Sequence, residues 1–285
     1  MPRRKSYNFA EMSHKDVASM LEKTDVVMVP LGSLEKHGAH LPLFTDAITT
    51  ICVVKKAAEK AEVPFVPMIP VGYSPHHMGV AGEGAGTLTF SGETYRRIVY
   101  EIAKGLIFHG FNKVVFVSHH GSNIKVVDDV LRRIRYETDC FICWYKTPTE
   151  REYSILKDII EGPPEETPGW HAGEIETSTV MAFDETLVDM EEAVKDKTHA
   201  PAWMGPKFSK KDGSATVAFE GAENIWVPME HHEYSDSATI GNPFRGSKEK
   251  GEKYFEMASS HLASFLNEVK KFKIEAKNRE FANRA

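Results

Sequence analysis

Short apolar runs alternate with longer amphipathic stretches along the first half of the chain. DVVMVPLG at 25–32 is almost continuously apolar and predicts a buried strand. From Asp46 to about Glu62 apolar residues recur at helical spacing, Ile51, Val54 and Ala58 among them, and predict a helix. VPFVPMIPVG at 63–72 is strand-like, but its three prolines confine it to an edge or an irregular strand. A helix is predicted from Ser91 to His109, with Ser91 as N-cap and Gly110 just past its end. KVVFVSHHG at 113–121 predicts a second buried strand, Asn123 to Glu137 a helix, and CFICWY at 140–145 another buried strand.

This alternation predicts an α/β fold: three layers, α/β/α, around a mostly parallel central sheet. In such folds ligands bind beyond the carboxyl ends of the strands. After residue 148 the pattern loosens into a Pro/Gly-rich stretch that ends at GPPEETPGW. HAGEIETSTVMAF at 171–183 predicts a loop entering a helix. Residues 195–245 are polar and irregular, with HHEYSDS in the middle. A long helix is expected over about 246–276, with Tyr254, Met257, Leu262 and Phe265 on one side. There is no internal repeat, low-complexity tract or clear linker, so residues 1–285 are expected to form one domain.

Composition narrows the function. The chain has 285 residues, 41% hydrophobic and 27% charged, which is enough apolar material for a sizeable core. A net charge of -6 argues against nucleic acid or an anionic membrane as the main partner. No apolar run approaches the roughly 18 residues of a membrane span. The opening MPRRKSYNF is basic, but no apolar stretch of a secretory signal follows it. Cys52, Cys140 and Cys143 make an odd, low count, which points to a reducing, cytoplasmic setting without a disulfide framework. Cys140 and Cys143 would fall on opposite faces of a strand, as small core hydrophobes rather than a metal pair.

Four clusters carry candidate chemistry. GSLEKHGAHLPLFTD (32–46) places Glu35 and His37 two apart just past a strand, with Asp46 opening the next helix. SHHGSN (118–123) puts His119 and His120 at the end of a buried strand. HAGEIETS (171–178) gathers His171, Glu174 and Glu176 near a helix start, and YSPHHMG (73–79) adds His76 and His77. Carboxylate and imidazole donors suit Zn²⁺, Mn²⁺ or Fe²⁺. Taken singly, each cluster is equally a helix cap, a favourable charge at a helix N-terminus or a satisfied core histidine. Taken together at strand ends, they point to a metal site. A serine or cysteine hydrolase has little support: there is no G-x-S-x-G elbow and no cysteine beside a histidine.

These residues resemble the creatininase (creatinine amidohydrolase) family. GSLEKHGAHLPLFTD matches a G-S-x-E-x-H-G-x-H-L-P-x-x-T-D signature, HAGEIETS matches H-A-G-x-x-E-T-S, HHGSN matches a G-H-x-x-N strand end in part, and SDSATIGNP (235–243) resembles a late element. The resemblance runs from about residue 25 to 255. It implies a creatininase-like hydrolase with two divalent ions, Zn, Mn or Fe, per chain. Glu35 and His120 would hold one ion, His37 the other, and Asp46 would bridge them. The creatinine-cleaving members carry a further acid where this chain has Ser122, so Glu176 becomes the candidate, as ligand or as base. His171 would be the catalytic acid/base, and His77, Ser122 and Trp170 would border the substrate, with Tyr73, His76 and His119 as further hydrogen-bonding groups. Ser122, His119 in place of a glycine, and a longer loop after His77 make creatinine itself a doubtful substrate. The implied reaction is hydrolysis of a small polar, cyclic amide-type substrate. The alternatives are ring opening of a cyclic keto-polyol (an inosose) or a non-catalytic binding or structural relative. The resemblance also implies a homo-oligomer, typically a hexamer.

Overall fold

The computed structural model describes residues 5–161 and 170–282. The Pro/Gly-rich stretch at 162–169 lies outside the described residues. Strands β1 (Val26–Pro30), β2 (Lys113–Ser118) and β3 (Phe141–Lys146) form a parallel sheet in that order. Val26 pairs with Lys113, and Val115 with Cys143. Helix α1 (His14–Leu21) precedes β1, α2 (Thr45–Ala61) and α3 (Gly92–Phe108) connect β1 to β2, α4 (Asp128–Thr138) connects β2 to β3, and α5 (Tyr153–Leu156), α6 (Glu174–Asp184) and α7 (Lys248–Lys270) follow.

Strand alternation divides the core in two. Val26, Met28, Val115 and Val117 face one layer, where they pack with Val53 and Val54 of α2, Ile175 of α6 and Leu262 and Leu266 of α7. Val27, Val29, Val114 and Phe116 face the other, with Tyr95 and Val99 of α3 and Ile134 of α4. This is the expected α/β/α sandwich. Cys140 joins the second core and Cys143 packs against the first, and all three cysteines are free thiols.

Several expectations are corrected in detail. CFICWY was expected to be buried, but β3 is an outer strand and is half-buried. The 63–72 stretch is the irregular strand that its prolines predict, forming isolated bridges beside β1. Pro64 and Ile69 accept from the amides of Met28 and Gly32 at 2.9 Å each, and the amides of Val66 and Ile69 donate to Met28 and Pro30 at 3.0 and 3.1 Å. Pro64, Pro67 and Pro70 have no N–H to continue the ladder. The helix expected from Asn123 is a 3₁₀ turn (Asn123–Val126) followed by α4. There the buried Asn123 side chain is committed elsewhere, accepting from the Tyr73 amide at 2.8 Å and donating to the Gly32 carbonyl at 3.0 Å. The last helix ends at Lys270 rather than near 276, where the Ala276 amide donates to the Asn112 side chain at 2.8 Å.

The region expected to be irregular contains a small antiparallel sheet of β4 (Phe208–Ser209), β5 (Thr216–Phe219) and β6 (Ala222–Trp226). Its strands are too short for alternation to stand out. Glu220 and Gly221, both with positive φ, turn β5 into β6. Among the described residues no helix is long and apolar enough to cross a membrane.

Candidate metal centre

Two strand-to-helix transitions and the start of a later helix deliver the clusters to one place. The chain leaving β1 carries Glu35 and His37, and the first turn of α2 carries Asp46. His119 and His120 follow β2 directly, and Glu176 lies in the first turn of α6. All are buried, with Glu35, His37 and Asp46 at most 2% exposed. Burial on that scale is costly for charged groups unless something compensates them. Ser33 Oγ donates to Glu35 at 2.6 Å. Ala172, at φ 54°, turns its amide onto Glu176.

The histidine orientations are fixed by carbonyls, which can only accept. His37 Nδ1 donates to the Glu35 carbonyl at 3.1 Å, so its Nε2 lone pair faces Asp46 Oδ2 at 3.6 Å and Glu176 Oε2 at 3.7 Å. His120 Nε2 donates to the Tyr73 carbonyl at 3.0 Å, so Nδ1 faces Glu35 Oε2 and Asp46 Oδ2, each at 3.2 Å. Backbone carbonyls behind imidazoles are the usual outer support of metal-ligating histidines. His37 Nε2 and Asp46 Oδ2 are buried without a hydrogen-bond partner. Two donors at about 2.1 Å from one tetrahedral ion stand roughly 3.4 Å apart. The separations of 3.2–3.7 Å therefore fit a divalent cation on each side of Asp46. The donor groups Glu35–Asp46–His120 and His37–Asp46–Glu176 share that carboxylate.

Titration agrees with a site that wants positive charge. Burial alone would lower the pKa of His120, but the Glu35 and Asp46 carboxylates outweigh it and lift it to about 10. The carboxylates of Glu176, Asp46 and Glu35 likewise outweigh burial and raise His37. Asp46 would be raised by burial, yet His37 and His120 hold it well below the usual carboxylate range.

The mutually packed rings of His77, His171 and His231 cover this centre. His171 Nε2 donates to the Lys36 carbonyl at 2.7 Å, which leaves Nδ1 as a lone pair 3.9 Å from Glu35 Oε1. Its ring stacks on His37 and His77, with centroids 4.1 and 4.6 Å away. His77 Nε2 lies 3.3 Å from Glu35 Oε1. Burial, with neighbouring imidazoles, pushes His77, His171 and His231 well below the ordinary histidine value. A cavity of about 170 Å³ opens onto the centre, lined among others by His76, His77, Ser122, Trp170 and His171. Ser122 Oγ lies 3.5 Å from His76 Nε2. Tyr73 contributes its carbonyl here, while its side chain packs against the second core.

Residues not singled out from the sequence also converge. His231, from HHEYSDS, lines the cavity with both ring nitrogens unpartnered. Glu150 is buried near Glu176 and accepts from the Ile175 amide at 3.2 Å. Burial, then the Glu176 charge, lifts Glu150 to about 8. The histidine pair in HHEYSDS was the one visible signal for His231, and Glu150 gave none.

A family model described as creatininase, creatinine amidohydrolase, matches residues 10–266. The chain belongs to the creatininase family. It is 27% identical over 276 residues to a creatinine amidohydrolase of Pseudomonas putida, covering 93% of this chain and 97% of that one. It is 27% identical over 191 residues to a 3-dehydro-scyllo-inosose hydrolase of Thermotoga maritima, spanning 65% of this chain and 59% of that one. A solved creatininase variant of the Zn–Zn type superposes with a TM-score of 0.71 at 25% identity, covering 94% of this chain and all of that one. The creatininase family is one of metal-dependent hydrolases. Within this creatininase fold, Ser122 lines the cavity but is absent from the groups of acids and imidazoles that converge on the centre.

Proposed function

We propose that this protein is a binuclear metal-dependent hydrolase acting on a small polar, cyclic amide-type substrate. The carrying observation is the shared Asp46 carboxylate between two convergent donor groups. Glu35, His120 and Asp46 would hold one ion, and His37, Asp46 and Glu176 the other. Zinc, manganese and iron all suit this donor set. When bound, such a pair lowers the pKa of water toward about 7 and polarises a carbonyl oxygen.

The chain's own groups supply the rest. His171 is neutral, with Nδ1 free to take a proton beside the centre and return it to the leaving atom. The Lys36 carbonyl keeps that tautomer in place. His77, Ser122 and Trp170 border the cavity where the ring would sit. Cytoplasmic location is consistent with three free thiols. Exposed Trp203 and Phe244 support self-association, proposed as a hexamer. One folded unit over residues 1–285 is part of the same reading.

A second reading, ring opening of a cyclic keto-polyol, is favoured by the similarity to the inosose hydrolase. It would use the same parts, with carbon as the leaving atom. A non-catalytic role is disfavoured by the complete donor set. The test is metal content by mass spectrometry on tag-free protein, followed by turnover screens on cyclic amides and cyclic keto-polyols. About two ions per chain and turnover of one class support the proposal. Folded protein that takes up no Zn, Mn or Fe would overturn it.

A further inference from the structure

The cavity over the metal centre has a second chemical character. Lys125, Lys146 and Arg151 line it, although the whole chain carries a net charge of -6. Lys125 comes from the turn after β2, Lys146 ends β3, and Arg151 lies in the short 3₁₀ turn that follows. The ends of β2 and β3 thus bring three cations to the same side of the sheet as the metal donors.

These cations differ in how far they are satisfied. Arg151 is engaged, with Nη2 3.0 Å from Asp212 Oδ2 and its guanidinium carbon 3.4 Å from the Trp170 ring centroid. Lys146 Nζ has Thr149 Oγ1 at 3.5 Å, the limit of a hydrogen bond. The Lys125 ammonium has no hydrogen bond or ion pair among the described residues. Its side chain is exposed at the mouth. Partial burial of the ammonium lowers its pKa and outweighs the pull of the Asp212 and Glu35 carboxylates, with Lys146 and Arg151 adding to the lowering. Lys210 stands nearby, its ammonium turned to the Ser214 carbonyl. Two acids face this group: Asp212 on the outer wall, already paired with Arg151, and Glu35, which belongs to the metal donors.

Like charges gathered at a cleft raise the local concentration of a counter-ion and repel one another until it arrives. Flexible ammonium groups are suited to receive carboxylate or phosphate oxygens. We propose that Lys125 and Lys146 receive an anionic group of the substrate, a carboxylate or a phosphate, remote from the bond that is hydrolysed. This rests on the hydrolase reading and narrows it: the substrate is a small molecule with an amide-type centre at one end and an acid at the other. A cavity of about 170 Å³ lies below the ~300–1,000 Å³ of drug-sized pockets, so the two ends are close together.

The test uses the metal-loaded protein and two probe pairs in titration calorimetry. Glutarate is compared with glutaramide, and glycerol 3-phosphate with glycerol. The wild type should prefer one anion over its neutral partner by about ten-fold or more, and Lys125→Met/Lys146→Met should lose most of that preference. Lys146→Glu, a change at an exposed side chain, should reverse it. A preference for glutarate identifies a carboxylate, and one for glycerol 3-phosphate a phosphate. No preference in the wild type, or one that survives both variants because the anion sits on the ions, would overturn the inference. Metal content measured on the same samples separates this from the hydrolase reading. Wild type without metal sinks that reading, whereas unchanged metal with unchanged anion preference in the variants sinks only the lysine inference.

Discussion

His119 Nε2 lies 3.2 Å from Glu176 Oε1, while its other ring nitrogen is 2.6 Å from Thr147 Oγ1. The imidazole is therefore held between a hydroxyl on the chain after β3 and a carboxylate on α6. This turns the other Glu176 oxygen toward His37, at 3.7 Å. His119→Ala should weaken the cation at His37–Asp46–Glu176 by about 10–100-fold and leave the Glu35–His120 cation nearly unchanged. Competitive titration with a chromogenic chelator would resolve the two. Equal weakening of both would reject His119 as a support for Glu176.

Asp46 belongs to both the Glu35–Asp46–His120 and the His37–Asp46–Glu176 groups, whereas Glu35 is absent from the second and Glu176 from the first. Asp46→Asn should remove both ions and abolish turnover. Glu35→Gln should remove one. Stoichiometry by mass spectrometry separates the cases, and an Asp46→Asn protein that keeps two ions would contradict bridging.

The raised pKa of His120 links metal, proton and stability. Its folded value of about 10 exceeds the ordinary 6.5, so the folded metal-free chain binds this proton more tightly than the unfolded chain. That contribution is complete below pH 6.5 and is lost as pH rises through about 10. The Tm of metal-free protein should fall across this window, while cation affinity rises because the proton must leave Nδ1. A melting series in chelator is the measurement, and a flat profile would exclude the linkage.

Glu150 acts in the same direction. Its folded pKa of about 8, against an ordinary 4.5, means its contribution is present below 4.5 and lost as pH rises through 8. Glu150→Gln keeps an acceptor for the Ile175 amide without the buried charge. Metal-free variant and wild type should melt alike near pH 5, and the variant should melt higher at pH 9. A variant that melts lower at both would show that the carboxylate is needed ionised.

Much of this was legible in the sequence. Continuous apolar runs marked β1 and β2, and strand-end position marked Glu35, His37, His119 and His120. Motif resemblance singled out Asp46, His171 and Glu176, residues that the fold gathers from distant segments. Lys125, Lys146 and Glu150 were hidden because each looks like an ordinary solvated charge, and their meaning comes from which cavity or core they face. Trp144, unassigned from the sequence, stacks on Phe116 at 6.4 Å in the core, while Trp226 is exposed. The small sheet β4–β6 escaped notice because strands of two to five residues carry almost no periodicity.

The proline-bearing stretch beside β1 has a consequence for life in a crowded solution. It occupies the outward hydrogen-bonding groups of a fully buried strand, then offers little ladder of its own, since every third residue from Pro64 to Pro70 lacks a donor. A foreign β-strand finds no continuous template there. The parallel sheet is thereby closed on that side to edge-on stacking and to the growth of aggregates.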